Sequence, residues 1–334
     1  MQLEIISRYP TAESKPVPLL FVHGSFTGAG VWDQHFLPYF AGQGYTAHAV
    51  SLRGHGASPG HERLWWWSLA DYVDDLAHAI RTLERPPVLI GHSLGGMVVQ
   101  KYLESRRVPA VVLMASAPPQ GLLPSYWGMA VSNPLLLQRI ALFQGLGPRF
   151  ATLQLMRQAL FSEDTPDAWL QRYFHLVQRE SQRVCLDLLG LDPLRLERDH
   201  GIPMLVMTAG RDAFFSTGLM QDMARHYRAD IRIFPELAHA MMLEMNWQQA
   251  ADYLLTGSTR GSRVERRRDF TIPPWYDAPL KPFGFSGHST NKIGRESHAA
   301  QSPRFLQAQG RRCAGTSAGD SRPPVAYDPF LRPQ

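Results

Sequence analysis

Three residues in this chain have types and neighbours suited to nucleophilic acyl transfer: Ser93, Asp212 and His239. Ser93 lies in Gly91-His92-Ser93-Leu94-Gly95, a G-x-S-x-G pattern. A hydroxyl that attacks a carbonyl must project free of its surroundings, and a sharp strand-to-helix turn presents it so. That turn is crowded, so the positions two before and two after the serine must be small. The helix that follows adds its positive end where negative charge develops. A serine hydroxyl is a poor nucleophile unless a histidine accepts its proton and an acid orients that histidine. Asp212 in Gly210-Arg211-Asp212 and His239 in Leu237-Ala238-His239-Ala240 are the candidates. The oxyanion needs N–H donors. Leu94 and Ser25 would supply them, with Phe26 as the alternative to Ser25, in the segment His23-Gly24-Ser25-Phe26. Each feature has a plainer reading as well: a glycine turn, an aspartate helix cap, one of 13 histidines.

These residues need elements to hold them. Residues 17–23, 87–90, 110–115 and 203–209 are short, nearly continuous apolar runs, as expected of strands buried on both faces of a parallel sheet. Weaker strands are expected at 46–52 and 230–234, and an edge strand at 3–7. Helical patterns fall at 68–82, with Ser68 as N-cap and Asp71 three residues on, and at 94–104, 216–227 and 247–255. The alternation predicts an α/β fold with a mostly parallel central sheet flanked by helices. Ser93, Asp212 and His239 then follow the carboxyl ends of three strands.

Residues 119–200 break the alternation with helix-like stretches rich in Leu, Met, Phe and Trp. They read as a helical insertion whose apolar side chains form its own core or a wall for an apolar group. Trp127 within it, Phe26, and Trp66 in Trp65-Trp66-Trp67 are the candidate substrate contacts. For Trp65-Trp66-Trp67 the plainer reading is packing around the helix at 68–82, while their position between the 46–52 strand and that helix slightly favours a rim at the substrate entrance.

Taken together, the motifs resemble the α/β-hydrolase superfamily, in its lidded serine esterase, lipase and lysophospholipase-like branch. The resemblance rests on Phe21-Val22-His23-Gly24, Leu52-Arg53-Gly54-His55-Gly56-Ala57-Ser58, Gly91-His92-Ser93-Leu94-Gly95-Gly96, Gly210-Arg211-Asp212, and Ala238-His239 with Met242-Leu243-Glu244 behind it. It implies an α/β-hydrolase fold, Ser93 as nucleophile, Asp212 as orienting acid, His239 as general base, and the insertion as a lid. Ser51 departs from the pattern, since relatives often carry Asp there. Dehalogenases and epoxide hydrolases of this fold use Asp at the elbow, so Ser93 argues against both. The expected domains are 1–118 and 201–257 as the two parts of the core, 119–200 as the cap, and 258–334 as a tail.

Composition narrows the class. The 334 residues carry a net charge of +5, with a pI near 9.3. Residues 1–257 hold 21 Lys+Arg against 23 Asp+Glu, while residues 258–334 hold 13 against 6. The excess positive charge thus belongs to a segment rich in Gly, Pro and Ser and poor in apolar residues, which predicts a disordered tail. No nucleic-acid partner is expected of a core with slightly acidic balance. Two cysteines, Cys185 and Cys313, exclude a disulfide scaffold and a Cys-rich zinc site. Cys185 reads as a buried thiol and His55 as structural. No metal or cofactor is implied, no run suits a membrane span, and a cytoplasmic location is the default. The expected partner is an apolar small-molecule ester. Thioester or amide hydrolysis, acyl transfer, or ligand binding without turnover would use the same scaffold.

Overall fold

Apolar residues at successive positions, rather than alternate ones, require a strand to be covered on both sides. The computed structural model, which describes residues 2–195 and 201–256, meets that requirement. Its sheet has the order β1-β3-β2-β4-β5-β6-β7, from β1 (Ile5–Arg8), β2 (Leu19–Val22), β3 (Ala47–Val50), β4 (Val88–His92), β5 (Val111–Met114), β6 (Met204–Ala209) and β7 (Asp230–Phe234). Every pairing is parallel except β1 with β3. The edge strand therefore begins two residues later than expected and ends at Arg8.

The helices are α1 (Gly30–Asp33), α2 (Phe36–Gly42), α3 (Leu69–Thr82), α4 (Leu94–Leu103), α5 (Leu123–Ser132), α6 (Pro134–Leu146), α7 (Leu153–Leu160), α8 (Asp167–Phe174), α9 (Gln182–Leu186), α10 (Thr217–Tyr227) and α11 (Gln248–Thr256). On one face of the sheet, Leu19, Phe21, Ile90 and Met207 pack with Trp32, Phe36 and Phe40 of α1 and α2 and with Leu254 of α11. On the other, Leu20, Val22, Leu89 and Val206 pack with α3, α4 and α10. The predicted start of α3 is a full capping box: the Ser68 hydroxyl accepts from the Asp71 N–H while the Asp71 side chain accepts from the Ser68 N–H.

α1 and α2 are absent from the sequence expectation. Both are short, and α2 carries Pro38 and ends on Gly42, so its periodic signal is weak. Its burial of Phe36, Leu37 and Phe40 is what makes it helical. Between β5 and β6 the described residues contain helices α5 to α9 and no strand.

Ser51 is anchored despite the missing carboxylate. Its hydroxyl donates to Glu4 Oε2 at 2.6 Å and accepts the Ala29 N–H at 2.8 Å. Glu4 Oε2 also accepts the Ala57 N–H at 3.0 Å. The residue just before the edge strand thus supplies the acid that position 51 lacks. The expected tail, 258–334, lies outside the described residues.

Candidate active site

The site is assembled at the carboxyl ends of β2, β4, β6 and β7. Ser93 is the single residue between β4 and α4, with φ 51° and ψ −117°, a conformation strained for a residue with a side chain. Its backbone is held there by N–H donation to the Met114 carbonyl at 3.2 Å and by acceptance from the Ala117 N–H at 3.0 Å. A Cβ on Gly91 would lie 2.6 Å from the Gly95 carbonyl oxygen, so that position admits only glycine without movement of the backbone.

His239 and Asp212 are brought together as expected. His239 Nδ1 donates to Asp212 Oδ2 at 2.9 Å, which leaves Nε2 as the basic nitrogen. Both side chains are buried. The other carboxylate oxygen, Oδ1, accepts the N–H groups of Phe214 and Phe215 at 2.8 and 3.1 Å. The rings of these phenylalanines lie 4.7 and 5.5 Å from the imidazole, so they flank it as well as orient its partner. Behind the histidine loop, Glu244 Oε1 accepts the Ala238 N–H at 3.1 Å.

His92 is a second supporting residue. Burial and the nearby His239 hold its pKa well below the ordinary value, so it is neutral. Its Nε2–H donates to the His239 carbonyl at 2.9 Å. The imidazole next to the nucleophile thus fixes the backbone of the candidate base.

The loop after β2 carries the candidate oxyanion donors. The N–H groups of Ser25 and Leu94 find no acceptor within the described protein. Phe26, the alternative, has its N–H turned onto Glu180 Oε2 at 3.2 Å and holds φ 63°. The alternative donor is therefore already occupied.

Glu180, which sequence reasoning missed, is fully buried between α8 and α9. Its Oε1 accepts from the Tyr72 hydroxyl and the Ser181 N–H, both at 2.7 Å. His55 Nε2 lies 3.4 Å from Oε2, in ion-pair range though without hydrogen-bond geometry. Burial alone would disfavour charge on either group. The mutual attraction prevails, raising His55 and lowering Glu180 from their ordinary pKa values. His55 is thus buried against Glu180 and is not among the residues that line the cavity of Ser93 and His239. No local pattern marks Glu180, because every partner but Ser181 is distant in the chain.

Ser93, His239, Ser25 and Leu94 line one cavity of about 160 Å³, with Phe26, Phe143, Leu155, Met156 and Phe214 among its apolar walls. Phe26 is thus placed at the site as expected, its ring 4.7 Å from that of Phe143. The two tryptophans are not. Trp66 and Trp127 are 77% and 75% exposed and take no part in the lining. An indole on the outer side of its turn or helix cannot reach inward, and the helical period puts the neighbouring Tyr126 on the cavity instead. Cys185 also lines the cavity, with its thiol pushed up to about 12 by burial and by Glu180.

With this geometry in hand, the chain is placed by comparison. A model of the alpha/beta hydrolase family matches residues 19–253, and the chain belongs to that family. No curated protein matches it significantly. Among solved structures, it is similar to an esterase from Exiguobacterium antarcticum, with 18% identity, 75% of this chain and 93% of that one covered, and a TM-score of 0.63. A thermophilic esterase from Thermogutta terrifontis gives 17%, 75%, 90% and 0.57. A monoacylglycerol lipase from Paleococcus ferrophilus gives 20%, 76%, 98% and 0.54.

Proposed function

We propose that this protein is a serine hydrolase that cleaves carboxylic esters with an apolar acyl group. The observation that carries the reading is the strained Ser93 at the end of β4, on an apolar cavity that it shares with the Asp212-bonded His239. In this reading Ser93 Oγ attacks the ester carbonyl as His239 Nε2 takes its proton. Asp212 holds the imidazolium through Nδ1–H. The N–H groups of Ser25 and Leu94 donate hydrogen bonds to the oxyanion. The tetrahedral adduct collapses, the C–O bond to the alcohol breaks, and His239 returns its proton to the departing alkoxide. Water, deprotonated by His239, then attacks the acyl-enzyme and frees the acid and Ser93.

The esterase and lipase identities of the solved structures support ester hydrolysis within the family. The mainly apolar walls support an apolar acyl group, since such a site gains little from a charged one. We take residues 119–200 as the cap and residues 1–118 and 201–257 as the two parts of the core; the described part of the cap reaches the cavity through Tyr126, Ile140 and Phe143. Turnover of p-nitrophenyl esters of rising acyl length by the wild type and by Ser93→Ala tests this. Rapid turnover by the wild type and a loss of about 10⁴-fold or more in the variant is expected. Equal rates would remove Ser93 from the chemistry.

A further inference from the structure

A surface helix of a folded protein shows an apolar stripe inward and polar residues outward, whereas one apolar all round is covered on all sides. α7 and α8 follow the first pattern, with Gln154 and Gln158 outward on α7 and Asp167, Gln171 and Arg172 outward on α8. The neighbouring pair α5 and α6 does not. These helices are cross-linked by the Gln144 amide donating to the Tyr126 hydroxyl at 2.6 Å. Their inner sides pack on α7 and line the cavity through Tyr126, Ile140 and Phe143. Their outer sides are nonetheless apolar: Leu123, Trp127, Val131 and Leu135 are 58–75% exposed, and Leu142 and Leu146 are exposed too. Leu123, Trp127 and Val131 are spaced i, i+4, i+8, one continuous stripe along α5.

The charges that this stretch of chain contributes are of one sign. No Asp or Glu occurs from Ser105 to Ser162. The charged residue of the hairpin itself is Arg139, and Arg149 follows three residues after α6; both are exposed, Arg139 bonding the neutral Gln158 amide and Arg149 lying over the Phe150 ring. A second copy docking face to face would bring these arginines together with no carboxylate on the face to compensate. An anionic lipid surface suits both features. Leu, Val and the Trp127 indole enter the boundary between headgroups and acyl chains, and the arginines meet phosphates.

We infer that the α5–α6 hairpin docks this protein onto an anionic phospholipid surface, with the cavity directly behind the docked face. The inference does not depend on the hydrolytic reading. Its test is co-sedimentation of the full chain with vesicles of equimolar phosphatidylglycerol and phosphatidylcholine, against vesicles of phosphatidylcholine alone. The wild type is expected to partition to the mixed vesicles. The triple variant Val131→Ser/Leu135→Ser/Leu142→Ser, whose sites are exposed, is expected to keep the thermal midpoint and to partition about tenfold less or lower. Arg139→Gln/Arg149→Gln, which leaves the apolar residues in place should the triple variant not fold, is expected to lose about fivefold per charge on the mixed vesicles and little on phosphatidylcholine. Absence of wild-type binding would overturn the inference. So would equal binding by wild type and both variants, which would move the contact to another surface such as the basic segment 258–334. A concentration-dependent dimer abolished by the triple variant would assign the face to a second copy instead.

Discussion

At the scale of single residues, the site depends on groups held where isolated chemistry would not leave them. Ser93 is the clearest case, since its backbone sits at φ 51° and ψ −117°. A residue with a side chain held there costs about 1–3 kcal/mol. Ser93→Gly therefore abolishes turnover yet raises the thermal unfolding midpoint; a lower midpoint would show that the turn is not strained. The buried histidines make a second prediction. Burial, aided by the charge of His55, pushes His23 down to about 3, and His92 is also held well below its ordinary value. Both stay neutral when folded but take a proton when unfolded below about pH 6.5. Stability is then lost as pH falls through that window, by about 1.4 kcal/mol per unit per group. His55 acts in the opposite sense: its raised pKa gives stability that is full below about 6.5 and is lost as pH rises through its folded value. The thermal midpoint should drop steadily from pH 6.5 toward pH 4, and a flat profile would contradict the assignment of His23 and His92 as neutral.

The secondary-structure elements explain how these residues are kept in register, and here the helical insertion matters as much as the sheet. It holds the loops on both sides of the cavity. On one side, the Gln178 N–H donates to the Phe26 carbonyl at 2.7 Å and Glu180 accepts the Phe26 N–H. On the other, the Ala240 N–H donates to the Leu160 carbonyl at 2.8 Å, and Glu244 accepts from the Ser162 N–H and hydroxyl, both at 2.7 Å. Glu180→Ala would leave the buried His55 and the Phe26 N–H without their carboxylate partner. It is expected to cost about 3–5 kcal/mol of stability and to lower kcat more than KM, because the loop that carries Ser25, the proposed oxyanion donor, is displaced while the apolar walls remain. Chemical denaturation and steady-state kinetics check the two effects; an unchanged kcat in a folded variant would separate Glu180 from the placement of Ser25. The same contacts mark what could be read from the sequence. Ser93, Asp212 and His239 were legible because each follows an apolar run with a local motif of its own. Glu180 and the N–H groups on Asp212 were not, since such partners declare themselves only once distant segments meet. Trp66 and Trp127 were misplaced for a related reason: a sequence gives residue type and period but not which side of an insertion faces the sheet.

For the molecule as a whole, the charge division separates the part that matches the family from the part that carries the net charge. The family match ends at residue 253 and α11 at Thr256, while the net positive charge lies in 258–334. A chain ending at residue 257 is therefore expected to keep the thermal midpoint and ester turnover of the full protein; loss of either would make 258–334 part of the working enzyme. The sheet, the cores on its two faces and the insertion all serve to bring one hydroxyl and one imidazole onto the same apolar cavity. The most direct test of that claim is reaction of the full chain with a fluorophosphonate, followed by mass spectrometry of its peptides. A single adduct on Ser93, formed slowly in His239→Ala and absent in Ser93→Ala, is the predicted result. Labelling of another residue, or none under conditions where esters are hydrolysed, would contradict it.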